Sequence, residues 1–300
     1  MSLRAGVEVV SNSEISVFQR CAKEHFFAYG LRRARRSYER EALSRGKAIH
    51  KAVGEFQRGE AVDYSGLRPE DRALVRGYVA FYAGPDGRDR QIETAQTDKG
   101  FQISIDRIQV VGEFDGVGIK KDTRKKAILE HKSSSEDISV GSSYWRKVAM
   151  TDRQVSLYLI ASKQKGWGET EVLFDVLGKP KLRLKNGESE EAFEQRVLVD
   201  IAESPSKYYV RATLVRLEHE HAAHIRDLKG IVHLMQRARE MGPDVPRSTE
   251  ACFKFGKPCE YFPVCGEGSD IMDDRLFEPK KSSRAREAPE SIPAQPRFVF

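Results

Sequence analysis

Glu130 and Lys132 stand two apart in ILEHKSS, a stretch whose β-branched and alternating residues predict a strand. Residues two apart on a strand share a face, so a carboxylate sits beside an ammonium while His131 points the other way. Asp115 falls in the preceding strand-like stretch, QISIDRIQVVGEFDGVGI. A hairpin turning about Asp122 and Thr123 sets Asp115 across from Glu130, with Cβ atoms ~5 Å apart. Like charges directly opposite destabilise a sheet unless a cation lies between them, and paired oxygen ligands suit Mg2+ or Mn2+. Without context the same residues read as solvent-face charges, Lys132 neutralising Glu130. The apolar neighbours Phe114, Val117, Ile128 and Leu129 argue against leaving these acids in water.

The four cysteines are the second group with chemistry of their own. Cys252, Cys259 and Cys265 fall in ACFKFGKPCEYFPVC, and Cys21 lies near the start of the chain. Four are too few for a disulfide scaffold in 300 residues, so metal ligation is the better reading. A set of four thiolates binds zinc or an iron-sulfur cluster, and spacing leaves both open, although the short Cys-x-x-Cys knuckle usual in zinc ribbons is missing. Either would close a very long loop and so act as a structural clasp. In EHEHAAHIR, a zinc-protease pattern starting at His219 and Glu220 needs a histidine where Ala223 stands, so this stretch reads as a solvated helix face.

Taken in order, the motifs resemble the PD-(D/E)XK nucleases. The likeness is to the RecB-like branch with an iron-sulfur cluster, which includes the AddB nuclease domain and the CRISPR-associated spacer-acquisition exonucleases. SNSEISVFQRC resembles the opening Ser-x-Ser-x-x-x-x-Phe-x-x-Cys pattern, RGKAIH the Arg-Gly-x-x-x-His, FDGV the metal-binding Asp, ILEHK the Glu-x-Lys, and QVSLY the Gln-x-x-x-Tyr. The resemblance implies His50, Asp115 and Glu130 as ligands of Mg2+ or Mn2+, Lys132 as the catalytic lysine, and Gln154 with Tyr158 as a helical pair lining the site. It also implies that Cys21, Cys252, Cys259 and Cys265 hold a 4Fe-4S cluster, with zinc the alternative. Phe114 stands where the motif's name has Pro, and Glu130 where this branch often has Asp.

The resemblance further implies a metal-dependent deoxyribonuclease, an exonuclease acting on DNA ends or single strands in recombination, repair or DNA processing. The competing reading is a non-catalytic nucleic-acid-binding protein with a structural four-cysteine metal site. Arg32, Arg33, Arg35 and Arg36, with Tyr29 and Tyr38 nearby, are candidates to contact phosphate and stack on bases.

The elements that must position these residues follow from periodicity. Helices are expected over 13–31 with Ser13 as N-cap, over 43–58 with Ile49, Ala52, Val53 and Phe56 on one stripe, around 72–82, over 152–164, over 189–203 and over 214–241. A hairpin or meander is expected over 102–134 and a further strand over EVLFDVLG. The expected fold is α/β, restriction-endonuclease-like: a central mixed β-sheet flanked by helices, with a helical insertion near 185–245 and a C-terminal cysteine clasp. One domain is expected over 1–278 and a disordered tail over 279–300.

Composition sets outer bounds. At 39% hydrophobic and 32% charged residues the chain is globular, and its longest apolar run is far below the ~18 residues of a membrane span. The start of the chain lacks the order of a secretory signal, so a cytoplasmic protein is expected. A net charge of +6 favours a polyanionic partner.

Overall fold

β-branched and apolar residues along 92–134 build three consecutive strands, and stripes at helical spacing build the helices around them. The structure, a computed structural model, describes residues 8–36, 41–254 and 257–280. In chain order it runs β1 (Glu8–Ser11), α1 (Asn12–Arg20), α2 (Ala22–His25), β2 (Arg33–Arg35), α3 (Glu41–Arg58) and α4 (Pro69–Tyr82). Then come β3 (Ile92–Ile105), β4 (Ile108–Lys120), β5 (Lys126–Ser134), α5 (Ser143–Thr151), α6 (Arg153–Lys165) and β6 (Val172–Gly178). The chain continues through α7 (Glu190–Glu203), β7 (Tyr209–Leu214), α8 (Glu218–Met241), β8 (Phe253–Lys254), β9 (Lys257–Pro258), α9 (Phe262–Glu267) and β10 (Phe277–Pro279). No helix among the described residues is long and apolar enough to cross a membrane.

The chain forms two compact units, one of Glu39–Lys99 with Glu113–Asp227 and one of Met1–Tyr38, Gly100–Gly112 and Leu228–Phe300. The first holds the carboxylate strands. Within it the second half of β4 pairs antiparallel with β5, β5 runs parallel to β6, and β6 antiparallel to β7. Parallel neighbours need a crossover, which α5 and α6 supply between β5 and β6. On one face of this mixed sheet Ile49, Val53 and Phe56 of α3 pack with Leu74 and Tyr78 of α4, Val197 of α7, and Leu177 and Tyr209 of the sheet. On the other face Tyr158 of α6 reaches Glu130. Gly118 lets β3 lie close over β4: a Cβ there would sit 2.9 Å from the carbonyl oxygen of Glu93.

The second unit carries the cysteines. The residues expected as one helix over 13–31 form instead α1, a break at Cys21, α2, and a π-turn over Phe26–Gly30. Cys21 is extended (φ −160°, ψ 113°), which ends α1, and its Sγ accepts a hydrogen bond from Ser248 N at 3.4 Å. The N-cap is Ser11, whose hydroxyl accepts from Glu14 N, and not Ser13. β1 pairs parallel with the first half of β4, and β2 pairs antiparallel with β10 around a core of Phe27, Tyr261 and Phe277.

Within the stretch expected as a helical insertion, α7 and α8 are helices, but β7 between them is a strand of the sheet. Its short polar-apolar mixture, YVRATL, carries a weak period, and pairing with β6 decides it. The residues from 281 onward, most of the expected tail, lie outside the described residues.

Candidate active site

The β4–β5 ladder pairs Gly116 with Leu129 through to Ile119 with Lys126. That is the register expected from a turn about Asp122 and Thr123, and Asp115 and Glu130 lie immediately beyond its last pair. Asp115 Oδ2 accepts the backbone N–H of His131 at 2.7 Å and lies 2.8 Å from His50 Nε2. Glu130, 1% exposed, receives a hydrogen bond from Lys132 Nζ at Oε1, and its Oε2 lies 2.8 Å from the Tyr158 hydroxyl.

Two helices complete the cluster. On α3 the expected stripe is buried, and His50, at its border, turns its ring to Asp115 while remaining 37% exposed. On α6 the Asp152 side chain accepts from Gln154 N at 2.8 Å and so caps the helix start. Gln154 and Tyr158, one turn apart, then face the same way. Gln154 Oε1 accepts from Lys132 Nζ at 3.0 Å, and its Nε2 donates to the Tyr158 oxygen. The Tyr158 hydroxyl is also 2.9 Å from the carbonyl of Glu113. The fold thus brings His50, Asp115, Glu130, Lys132, Gln154 and Tyr158 into one cluster.

Burial pushes the Glu130 carboxyl up to about 7, with the Asp115 charge adding to the rise and Lys132 and Tyr158 opposing it. Burial also presses upward on Asp115, but the hydrogen bond and charge of His50, with His131, hold it below the usual carboxylate range. For His50, burial is outweighed by Asp115 and Glu130, which raise its imidazole. Lys132 is likewise raised, Glu130 overcoming its burial. The arrangement is two neighbouring acids, one holding its proton more tightly than an ordinary carboxyl, with an imidazole nitrogen beside them. That donor set, O, O and N, fits a divalent cation. Among the described residues, however, no three His, Cys, Asp or Glu side chains are gathered as a formed metal site. His50, Lys132, Tyr158 and the His131 N–H contact the carboxylate oxygens.

Residues 9–266 match the model of the PD-(D/E)XK nuclease superfamily. The chain belongs to that superfamily. No curated protein matches it. Among solved structures it is similar to the crystal structure of SSO0001, with 10% identity over 78% of this chain and 79% of that one and a TM-score of 0.37. PD-(D/E)XK nucleases act on nucleic acid and typically use Mg2+ or Mn2+.

In the other unit of this PD-(D/E)XK chain, all four cysteines are free and line one pocket with Glu24, Arg247, Ser248, Tyr261 and Phe262. Tyr261 N donates to Cys259 Sγ at 3.3 Å. Burial pushes the Cys259 thiol up to about 11. Among the described residues, however, no three of these cysteines are gathered as a formed metal site.

The arginine strip divides. Arg33 is buried: its guanidinium bonds Asp274 at 2.6 Å and the Phe277 carbonyl at 3.0 Å, tying β2 to the segment around β10. It is therefore not placed to contact phosphate. Arg32 is exposed, and Arg36 is half exposed beside Glu278 at 3.2 Å. Tyr38 lies outside the described residues. On α8, His224 is buried and its imidazole is pushed down to about 4 by burial, so that stretch is not the uniformly solvated face its composition suggests.

Sequence reasoning missed the buried polar row behind the strand of Glu130, formed by His131, Asp175 and Arg211. Asp175 carried a signal: a lone acid inside the apolar run EVLFDVLG is costly unless paired.

Proposed function

We propose that the chain hydrolyses phosphodiester bonds of DNA, as an exonuclease on ends or single strands, with Mg2+ or Mn2+ held by Asp115, Glu130 and His50. The observation that carries this reading is the gathering of His50 on Asp115 and of Lys132 Nζ on the neighbouring Glu130 carboxylate. A divalent cation, when bound, supplies an acidified water and neutralises charge growing on the phosphate. The chain's own residues do the rest. Tyr158 and the His131 N–H fix the two carboxylates. Lys132, steadied by Gln154, presents an ammonium that can leave Glu130 for a phosphate oxygen as its charge develops.

The same reading gives Cys21, Cys252, Cys259 and Cys265 a 4Fe-4S cluster, supported by their shared pocket and by the branch that the motifs resemble. Zinc is the competing occupant, and metal analysis separates the two.

The test is degradation of labelled DNA by pure protein in Mn2+, Mg2+ or EDTA, with Lys132→Ala as control. Linear DNA is set against covalently closed circular DNA, and DNA against RNA. Cleavage dependent on Mn2+ or Mg2+ and lost in Lys132→Ala supports the nuclease; resistance of circular DNA supports the end requirement. DNA binding without any cleavage would leave the non-catalytic reading.

A further inference from the structure

Behind the strand that carries Glu130 and Lys132, three polar residues lie side by side on three neighbouring strands. The register places His131 of β5 next to Asp175 of β6, and Asp175 next to Arg211 of β7. His131 Nδ1 is 3.3 Å from Asp175 Oδ2, and Arg211 Nη2 is 3.1 Å from the same oxygen. Arg211 then grips Asp89 with two nitrogens, at 2.6 and 3.1 Å, while Tyr78 donates its hydroxyl proton to Asp175. The side chains of His131, Asp175, Arg211 and Asp89 are each no more than 6% exposed.

A buried row of this kind is a poor source of stability, because well-packed apolar residues usually serve as well or better. Its value has to lie in what it orients. Followed in both directions, the row closes on the candidate active site. At one end, the backbone N–H of His131 holds Asp115 Oδ2, and the His131 ring meets the His50 ring edge-on at 5.9 Å. At the other end, Asp89 Oδ2 accepts from Gln57 Nε2 at 2.8 Å, and Gln57 Oε1 accepts from Thr94 at 2.7 Å. Gln57 and His50 are seven residues apart on α3, two turns, and so lie on nearly the same face. The circuit runs from His50 to Asp115, through His131, Asp175, Arg211 and Asp89 to Gln57, and back along α3 to His50.

We propose that this circuit is a positioning frame for the cation site. It ties α3 at His50 to Asp115 of β4 and at Gln57 to Asp89 and to Thr94 of β3, and thereby sets the reach of His50 toward Asp115 and Glu130. His131, Asp175, Arg211 and Gln57 are positioning residues in this scheme, and none of them touches substrate. The inference rests on the nuclease reading, since it assigns the frame's purpose to the cation that reading requires. Losing a partner that orients a metal ligand commonly costs about 10- to 100-fold in metal affinity or activity.

The experiment compares wild type with His131→Phe, His131→Asn and Gln57→Leu, the asparagine keeping a donor near the position of Nδ1. Two quantities are read: bound Mn2+ by electron paramagnetic resonance, which needs no turnover, and the Mn2+ concentration for half-maximal DNA cleavage. His131→Phe and Gln57→Leu are expected to weaken both about tenfold or more, with turnover at saturating Mn2+ changed much less, and His131→Asn to recover most of the loss. A folded His131→Phe or Gln57→Leu protein with wild-type Mn2+ dependence overturns the frame. If His131→Phe fails to give a cooperative thermal melt, Gln57→Leu decides alone. Wild-type protein that neither binds Mn2+ nor cleaves DNA refutes the nuclease reading and the frame with it. Wild type that does both, beside variants that match it, refutes the frame only.

Discussion

The Gln154 carboxamide oxygen accepts a hydrogen bond from Lys132 Nζ at 3.0 Å, so a helix that follows the Glu130 strand by about twenty residues fixes where its lysine points. The other end of the same carboxamide donates to Tyr158, which reaches Glu130. One side chain thus links the acid and the ammonium. Lys132→Ala is expected to lower cleavage by about 10^2- to 10^4-fold, the range for losing a group that stabilises developing charge. Gln154→Ala, which leaves the lysine in place but unguided, is expected to cost about tenfold, mainly in kcat. Steady-state kinetics on a defined DNA end measures both. Equal losses in the two variants would mean that Gln154 supports the fold and does not merely aim Lys132.

Acidity should report on the paired carboxylates. In the folded protein without metal, Glu130 is pushed up to about 7 from its ordinary 4.5, and His50 is also raised. A raised group favours folding fully below its unfolded value and ceases to do so as pH climbs through its folded value. Stability in EDTA is therefore expected to fall between about pH 4.5 and pH 7, and Glu130→Gln should flatten that decline while abolishing cleavage. Thermal melts across this window decide it. A cation needs Glu130 ionised and His50 neutral, so Mn2+ binding should release protons near about pH 6, read by calorimetry in buffers of different ionisation enthalpy.

The site was more legible in the sequence than the scaffold around it. Period-two alternation with a short polar turn sufficed for the β4–β5 register over Gly116–Ile119, which brings Asp115 near Glu130, because a slip by one residue flips every side chain to the other face. Helical spacing likewise put Gln154 and Tyr158 together. What stayed hidden depends on tertiary pairing. β7 gains its strand character from β6, and the break at Cys21 has no proline or glycine to announce it. The long-range partners of Arg33, Asp274 and the Phe277 carbonyl, stand more than two hundred residues away.

The arginines of the basic strip should separate by burial. Arg33→Ala removes a guanidinium that satisfies buried backbone and is expected to cost about 2 kcal/mol or more of stability, seen as a lower Tm. Arg32→Ala and Arg36→Ala should leave Tm nearly unchanged. If they meet DNA phosphates, each should reduce the slope of log affinity against log salt by about 0.9. Binding measured from low to moderate salt checks this, and an unchanged slope would return both residues to the solvated surface.

The cysteine pocket yields the prediction that best separates its two possible occupants. Protein purified without oxygen is expected to be brown, to absorb broadly as iron-thiolate clusters do, and to carry roughly four irons per chain. Cys21 and Cys259 sit in unrelated local structure, one at the break between α1 and α2 and the other just after β9, yet both line the same pocket. On the proposed four-cysteine centre, replacing either by serine removes one of four ligands, so the two variants should lose metal and protease resistance alike. Cleavage should fall only as a consequence, since no cysteine belongs to the carboxylate hairpin. One zinc per chain in colourless protein would replace the cluster by zinc and keep the clasp. A Cys21→Ser protein that retains its full metal content would remove Cys21 from the ligand set and leave the three late cysteines to bind without it.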